Sequence, residues 1–181
     1  MKISRDTPAH YLTSVTHNRL PIFRTDKLKD VVCNALDEAR RSGGFLIFAY
    51  VVMLDHLHLL TDNSRSISDT LRFTNGIVAR RIIDYLKENN FESSLAKLRI
   101  QVREREHKHS VFQHHPNAME IISEDKFMEK VNYIHMNPVK AGFAKLPDEY
   151  RFSSSRQWHG KAIADEPLWT DQKSIVWRRA A

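Results

Sequence analysis

Residues 51–60 read VVMLDHLHLL, an apolar strand pattern that carries an aspartate and two histidines one residue apart. The run leading into it, FLIFAYVVM (45–53), is continuously apolar and rich in β-branched and aromatic residues, the pattern of a strand covered on both faces. Leu54 and Asp55 offer a tight turn, and HLHLLT (56–61) returns as the neighbouring strand. Strand side chains alternate, so His56 and His58 share one face with their Cα atoms roughly 7 Å apart. Leu57, Leu59 and, at the turn, Asp55 are expected on the other face.

Upstream, HYLTSVT (10–16) mixes aromatic, β-branched and alternating residues and reads as a first strand. From Asp26, Leu28, Val31, Val32, Ala35, Leu36 and Ala39 recur at helical spacing, with Thr25 or Asp26 to cap the start and Gly43 and Gly44 to end it. Ser66, followed three residues later by Asp69, opens a second helix whose apolar side is Ile67, Leu71, Val78, Ile82 and Leu86. Residues 88–110 are polar and read as a loop or lid, and Val111 and Phe112 as a last strand. Ser123 caps a final helix with Phe127, Val131 and Ile134 as its apolar stripe, ending near Asn137 because Pro138 disfavours helix before it and lacks an N–H. This order predicts an α+β sandwich, an antiparallel sheet with helices packed on it, of which the ferredoxin-like arrangement is the simplest form.

Composition narrows the setting. The 181 residues suit one domain plus an extension, and a single cysteine, Cys33, rules out an intramolecular disulfide framework. The opening MKISRDTPAHYL has no apolar signal core and no run of 18 apolar residues occurs, so a soluble cytoplasmic protein without membrane spans is expected. Lys and Arg number 28 against 22 Asp and Glu, a formal charge of +6, which helps approach to phosphates. Arg72, Arg80, Arg81 and Lys87 on the second helix could track a phosphate backbone, although such faces are ordinarily just solvated. The cluster EHKHSVFQHH (106–115) does not have zinc-finger spacing and reads as a DNA-facing or mobile segment.

On the last helix, Lys126, Lys130, Tyr133 and Asn137 fall on one stripe beside the apolar one. If that helix packs across the sheet at the histidine strand, Asn137 offers an amide oxygen and Tyr133 a phenol beside the two imidazoles. Two imidazoles and an amide oxygen leave positions open for phosphate oxygens and water. Magnesium or manganese suits phosphate chemistry, and zinc is the alternative that imidazole favours.

Together, AYVVMLDHLHLL and YIHMNPVKAGF (133–143) resemble the single-tyrosine HUH transposases, especially their REP-associated branch. The HUH element is the histidine, hydrophobe and histidine of 56–58, and Tyr133 is followed four residues later by Asn137. VFQ before the last helix and FSSS after it extend the likeness over roughly residues 8–158. Leu54 and Asp55 depart from the proline and asparagine that often precede the first histidine. The resemblance implies a ferredoxin-like nuclease that cuts and rejoins single-stranded DNA through a 5′-phosphotyrosine, recognising hairpin DNA of REP-like repeats as a monomer or homodimer. It implies Tyr133 as nucleophile, His56, His58 and Asn137 as ligands of Mg2+ or Mn2+, and a catalytic domain over 1–145. Residues 146–181 would be an extension packed on that domain or contacting DNA. Arg72, Arg80, Arg81, Lys130 and Lys140 are the expected DNA contacts. Two other classes fit parts of the pattern: a domesticated hairpin-DNA binder without cleavage, and an unrelated metal hydrolase to which Tyr133 is a spectator.

Overall fold

The computed structural model describes residues 1–103, 106–113 and 116–177. Its centre is a four-stranded antiparallel sheet of β1 (Ala9–Val15), β2 (Ile47–Val52), β3 (His56–Thr61) and β6 (Asn117–Ile121), in the order β2-β3-β1-β6. With α1 (Asp26–Gly43) between β1 and β2, and α2 (Ile67–Glu88) between β3 and β6, this is the ferredoxin-like connection. Every residue of β2 is buried, which explains its unbroken apolar sequence.

The helix starts follow their caps. The Thr25 hydroxyl accepts the Leu28 amide at the head of α1, and Ser66 accepts that of Asp69 at the head of α2. Gly44 ends α1 with φ 65°, a left-handed conformation that costs glycine little. In α4 (Glu124–Lys140), Ser123 accepts the Lys126 amide, and the helix runs through Pro138 rather than ending at Asn137. Because Pro138 sits in the last turn, its missing N–H costs one intrahelical bond, and the turn is closed by Ala141 N–H to Asn137 O (3.0 Å) and Phe143 N–H to Pro138 O (2.8 Å).

Two further expectations are corrected. Within 88–110 most described residues are not loop: they form α3 (Glu92–Leu98) and a separate ribbon of β4 (Arg99–Arg103) and β5 (Glu106–His109). Their charged composition hid short elements whose signal is backbone pairing. The fourth strand is β6, not Val111–Phe112. Phe112 makes only a single bridge to Thr16, while Ile121 is the one fully buried residue of β6, so an edge strand carries little apolar pattern. Of the histidines at 106–115, His114 and His115 lie outside the described residues.

Register assigns the faces. Tyr11 stands opposite Leu60, Thr13 opposite His58 and Val15 opposite His56, so these six side chains share a face. Leu12 and Ser14, paired with Leu59 and Leu57, point the other way, where Ser14 Oγ donates to Asn75 Oδ1 of α2 at 2.7 Å. Helix α4 covers the histidine face, with Phe127 edge-on to Phe48 at 5.8 Å between ring centres.

Beyond α4 the chain returns along the outer edge of β2. Val52 N–H donates to Phe152 O (2.9 Å), Ser154 N–H to Tyr50 O (3.0 Å), and Asp171 N–H to Ile47 O (2.7 Å). Trp158, which closes the short α5 (Ser155–Trp158), donates its indole N–H to Phe48 O at 2.9 Å. Trp158 and Trp177 pack on Phe127, whereas Trp169 is half exposed. These bonds satisfy backbone groups that an open sheet edge would leave unpaired. Among the described residues no helix is long and apolar enough to cross a membrane.

Candidate functional site

His56 lies at the first residue of β3 and His58 two residues on, and their rings meet edge-on with centres 5.0 Å apart. Helix α4 crosses above them. Tyr133 stands edge-on to His58 at 5.5 Å and to Tyr11 at 6.2 Å, and Asn137, one turn later, is near enough to His58 to favour its protonated form. The Asn137 amide nitrogen also donates to Tyr133 O at 2.7 Å, so its oxygen is free to face the imidazoles. Four residues that the sequence sets in two distant segments therefore converge on one side of the sheet.

The two imidazoles are held differently. His58 is buried, and its Nδ1 lies 2.9 Å from the hydroxyls of both Tyr11 and Thr13. Burial, followed by the neighbouring His56 and the charge of Lys130, pushes its pKa down to about 3, which keeps the ring neutral. His56 is partly exposed, and its Nδ1 lies 2.6 Å from Asp55 Oδ1. Asp55 belongs to the turn and reaches His56 along the strand edge; it does not face away as the alternation of β3 would have it. Burial alone would raise its carboxyl, but His56 and then Arg19 together outweigh it and hold the group below the usual carboxylate range.

With both Nδ1 atoms occupied, both Nε2 atoms are left to bind, and a neutral imidazole is the form a metal needs. Among the described residues no group of three His, Cys, Asp or Glu could hold an ion. A divalent ion here would rest on His56, His58 and the Asn137 amide, a donor set that fits a weakly held ion with open positions.

Cations gather on the tyrosine. Lys130 Nζ lies 4.9 Å from the Tyr11 ring centre and 5.5 Å from that of Tyr133, and Lys140 Nζ lies 5.4 Å from Tyr133. Lys126 is instead drawn to Glu129, at 2.7 Å. The arginines of α2 are not part of this group. Their helix packs on the opposite face of the sheet, Arg72 pairs with Asp69 at 3.0 Å, and Arg81 forks onto Glu38 through two 2.8 Å bonds. Arg80 is on the same far helix.

Sequence reading missed Tyr11, Thr13, Asp55 and Arg19. Tyr11 and Thr13 alternate correctly for the histidine face, but only the β1–β3 register, which sequence does not print, brings them to His58.

No protein-family model matches the chain, and no curated protein matches it significantly. A protein of Deinococcus radiodurans R1 described as a transposase shows a weak likeness, 20% identical with a TM-score of 0.48 over 71% of this chain and 88% of that one, and nothing rests on it. A REP-associated tyrosine transposase solved bound to a REP hairpin is 17% identical and superposes with a TM-score of 0.63 over 91% of this chain and 87% of that one, so the two share a fold.

Proposed function

We propose that this chain is a REP-associated transposase of the single-tyrosine HUH type, which binds hairpin DNA and cuts and rejoins its single-stranded flank through a 5′-phosphotyrosine on Tyr133. The observation that carries the reading is the convergence of His56, His58, Asn137 and Tyr133 under α4. The shared fold with a hairpin-bound transposase supports it. Residues 1–145 would carry the chemistry, and the extension from 146, as far as the described residue 177, would brace it along β2.

His56 and His58 through Nε2, with the Asn137 amide oxygen, would hold magnesium or manganese, which when bound supplies charge withdrawal from the scissile phosphate. Tyr133 is 41% exposed, so a DNA strand can reach its hydroxyl. That oxygen attacks phosphorus, the bond to the 3′-oxygen breaks, and the 3′-hydroxyl leaves with a proton from water. A phenol is mostly protonated at neutral pH, and Lys130 and Lys140 favour the negative charge that develops as its proton departs to solvent. The phosphotyrosine bond replaces the phosphodiester bond, so rejoining by a 3′-hydroxyl needs no nucleotide triphosphate.

The test is a denaturing gel of labelled hairpin DNA with single-stranded flanks, incubated with Mn2+ or Mg2+. Wild-type protein yields a shifted downstream fragment that carries the protein on its 5′-phosphate, and Tyr133→Phe yields none while still binding DNA. An adduct with the phenylalanine variant refutes the nucleophile, and hairpin binding without any wild-type adduct makes the chain a binder only.

A further inference from the structure

Asp55 is held more firmly than a turn residue needs. Its carbonyl accepts the Thr16 N–H (2.8 Å), and the Thr16 hydroxyl, with one proton to give, lies within reach of that carbonyl (2.9 Å) and of Leu20 O (2.7 Å). Between those anchors, Asn18 (φ 51°) and Arg19 (φ 53°) are two successive non-glycine residues in the left-handed region, a conformation L side chains rarely adopt. The result is that Arg19 Nη1 donates to Asp55 Oδ2 at 3.1 Å, while Asp55 Oδ1 faces His56 Nδ1 at 2.6 Å.

We propose that Asp55, clasped by Arg19, is a positioning residue that fixes the tautomer of His56, keeping the proton on Nδ1 and the bare Nε2 turned to the ion. The inference rests on the metal-dependent reading above. A carboxylate has two acceptor oxygens and satisfies both neighbours: Oδ2 takes the Arg19 N–H and Oδ1 takes the His56 Nδ1–H. An amide cannot. With Arg19 present, an asparagine turns its oxygen to the guanidinium and its NH2 to His56, which then must accept at Nδ1 and carry its proton on Nε2, the atom a metal needs. Arg19 thus makes the site demand a carboxylate rather than any polar residue. His58 has no such partner: the Tyr11 and Thr13 hydroxyls can donate or accept, and they leave its tautomer to adjust.

Three variants and two readouts decide it. Long-range 1H–15N spectra of the metal-free protein report which nitrogen of His56 carries the proton. Wild type and Arg19→Ala should both show Nδ1–H, Asp55→Asn should show Nε2–H, and Arg19→Ala/Asp55→Asn should return to Nδ1–H once the amide is released to turn. Titration calorimetry with Mn2+ in the absence of DNA should follow the same order, with Asp55→Asn weaker by roughly 10–100-fold and the double variant recovering most of that loss. Thermal unfolding of each variant verifies the fold. An unchanged His56 tautomer in Asp55→Asn, or a double variant no better than the single, overturns the proposal. If wild-type protein takes up no Mn2+, the metal reading fails on its own, and the spectra still decide whether Asp55 sets the tautomer.

Discussion

The Tyr133 ring stands edge-on to His58 with 5.5 Å between ring centres, although 75 residues separate them in the chain. That contact joins α4 to β3, and each partner depends on it differently: Tyr133 is open to solvent while His58 is enclosed.

The difference gives the first prediction. Replacing His58 with alanine leaves the Tyr11 and Thr13 hydroxyls without their shared partner and opens a cavity beneath α4. A loss of about 1–3 kcal/mol is expected, the usual cost of stranding buried polar groups. His56→Ala, at the partly exposed strand start, should cost less, about 1 kcal/mol or below. Urea unfolding of the two variants measures this. Both should lose divalent-ion-dependent cleavage, so equal stability losses would contradict the burial asymmetry and retained cutting would contradict the ligand role.

Charge placement gives the second. Lys130 and Lys140 flank Tyr133, whereas Arg72 and Arg81 lie on the far helix and are engaged by Asp69 and Glu38. If DNA runs over α4, Lys130→Ala and Lys140→Ala should each lower the slope of log affinity against log salt by about 1 and slow adduct formation. Arg72→Ala and Arg81→Ala should leave both nearly unchanged. The reverse pattern in a salt series would move the DNA path to α2.

Much of this site was legible in the sequence, and its legible parts share a cause. α1, β2, β3 and α2 bury continuous or periodic apolar faces and begin at Thr25 and Ser66 caps, so local chemistry and tertiary burial agree. β6 was not legible because only Ile121 of its five residues is fully buried. Within the site, His56, His58, Tyr133 and Asn137 carry unusual residue types at informative spacings. Tyr11 and Thr13 are ordinary strand residues that become important only through register, and Arg19 only through a left-handed turn.

The third prediction concerns pH. His135 of α4 is buried with Nε2 2.9 Å from Ser154 Oγ, and burial, then the nearby His159, lowers its pKa to about 4. Folded, His135 stays neutral below its ordinary value of 6.5, whereas the unfolded chain takes up the proton there. Unfolding therefore binds a proton, and stability should fall as pH drops from 6.5 towards 4, by about 1.4 kcal/mol per pH unit for this group. His135→Gln should flatten the wild-type decline by about one proton in urea unfolding at pH 7, 6 and 5. An unchanged slope would mean that His135 titrates normally.

The last prediction tests how the C-terminal segment braces the sheet. Arg156 Nε and Nη2 each donate to a Glu166 carboxylate oxygen at 2.9 Å, and the Glu166 side chain is fully enclosed. This pair ties α5 to the strand-like return, from which Asp171 accepts the Ile47 N–H at 3.0 Å and the Arg40 guanidinium at 3.1 Å. Arg156→Ala removes the only cation bonded to Glu166 among the described residues and strands a buried carboxylate, which typically costs about 3–5 kcal/mol. Replacing both residues with leucine removes the stranded charge along with its partner, so the double variant should unfold at a higher urea concentration than Arg156→Ala alone. The pair lies along β2, away from Tyr133, and whatever fraction of Arg156→Ala remains folded should still form the DNA adduct at the wild-type rate per folded molecule. If the double variant is no more stable than the single one, the segment is held chiefly by Asp171 and the Trp158 indole, and the ion pair is incidental to the brace.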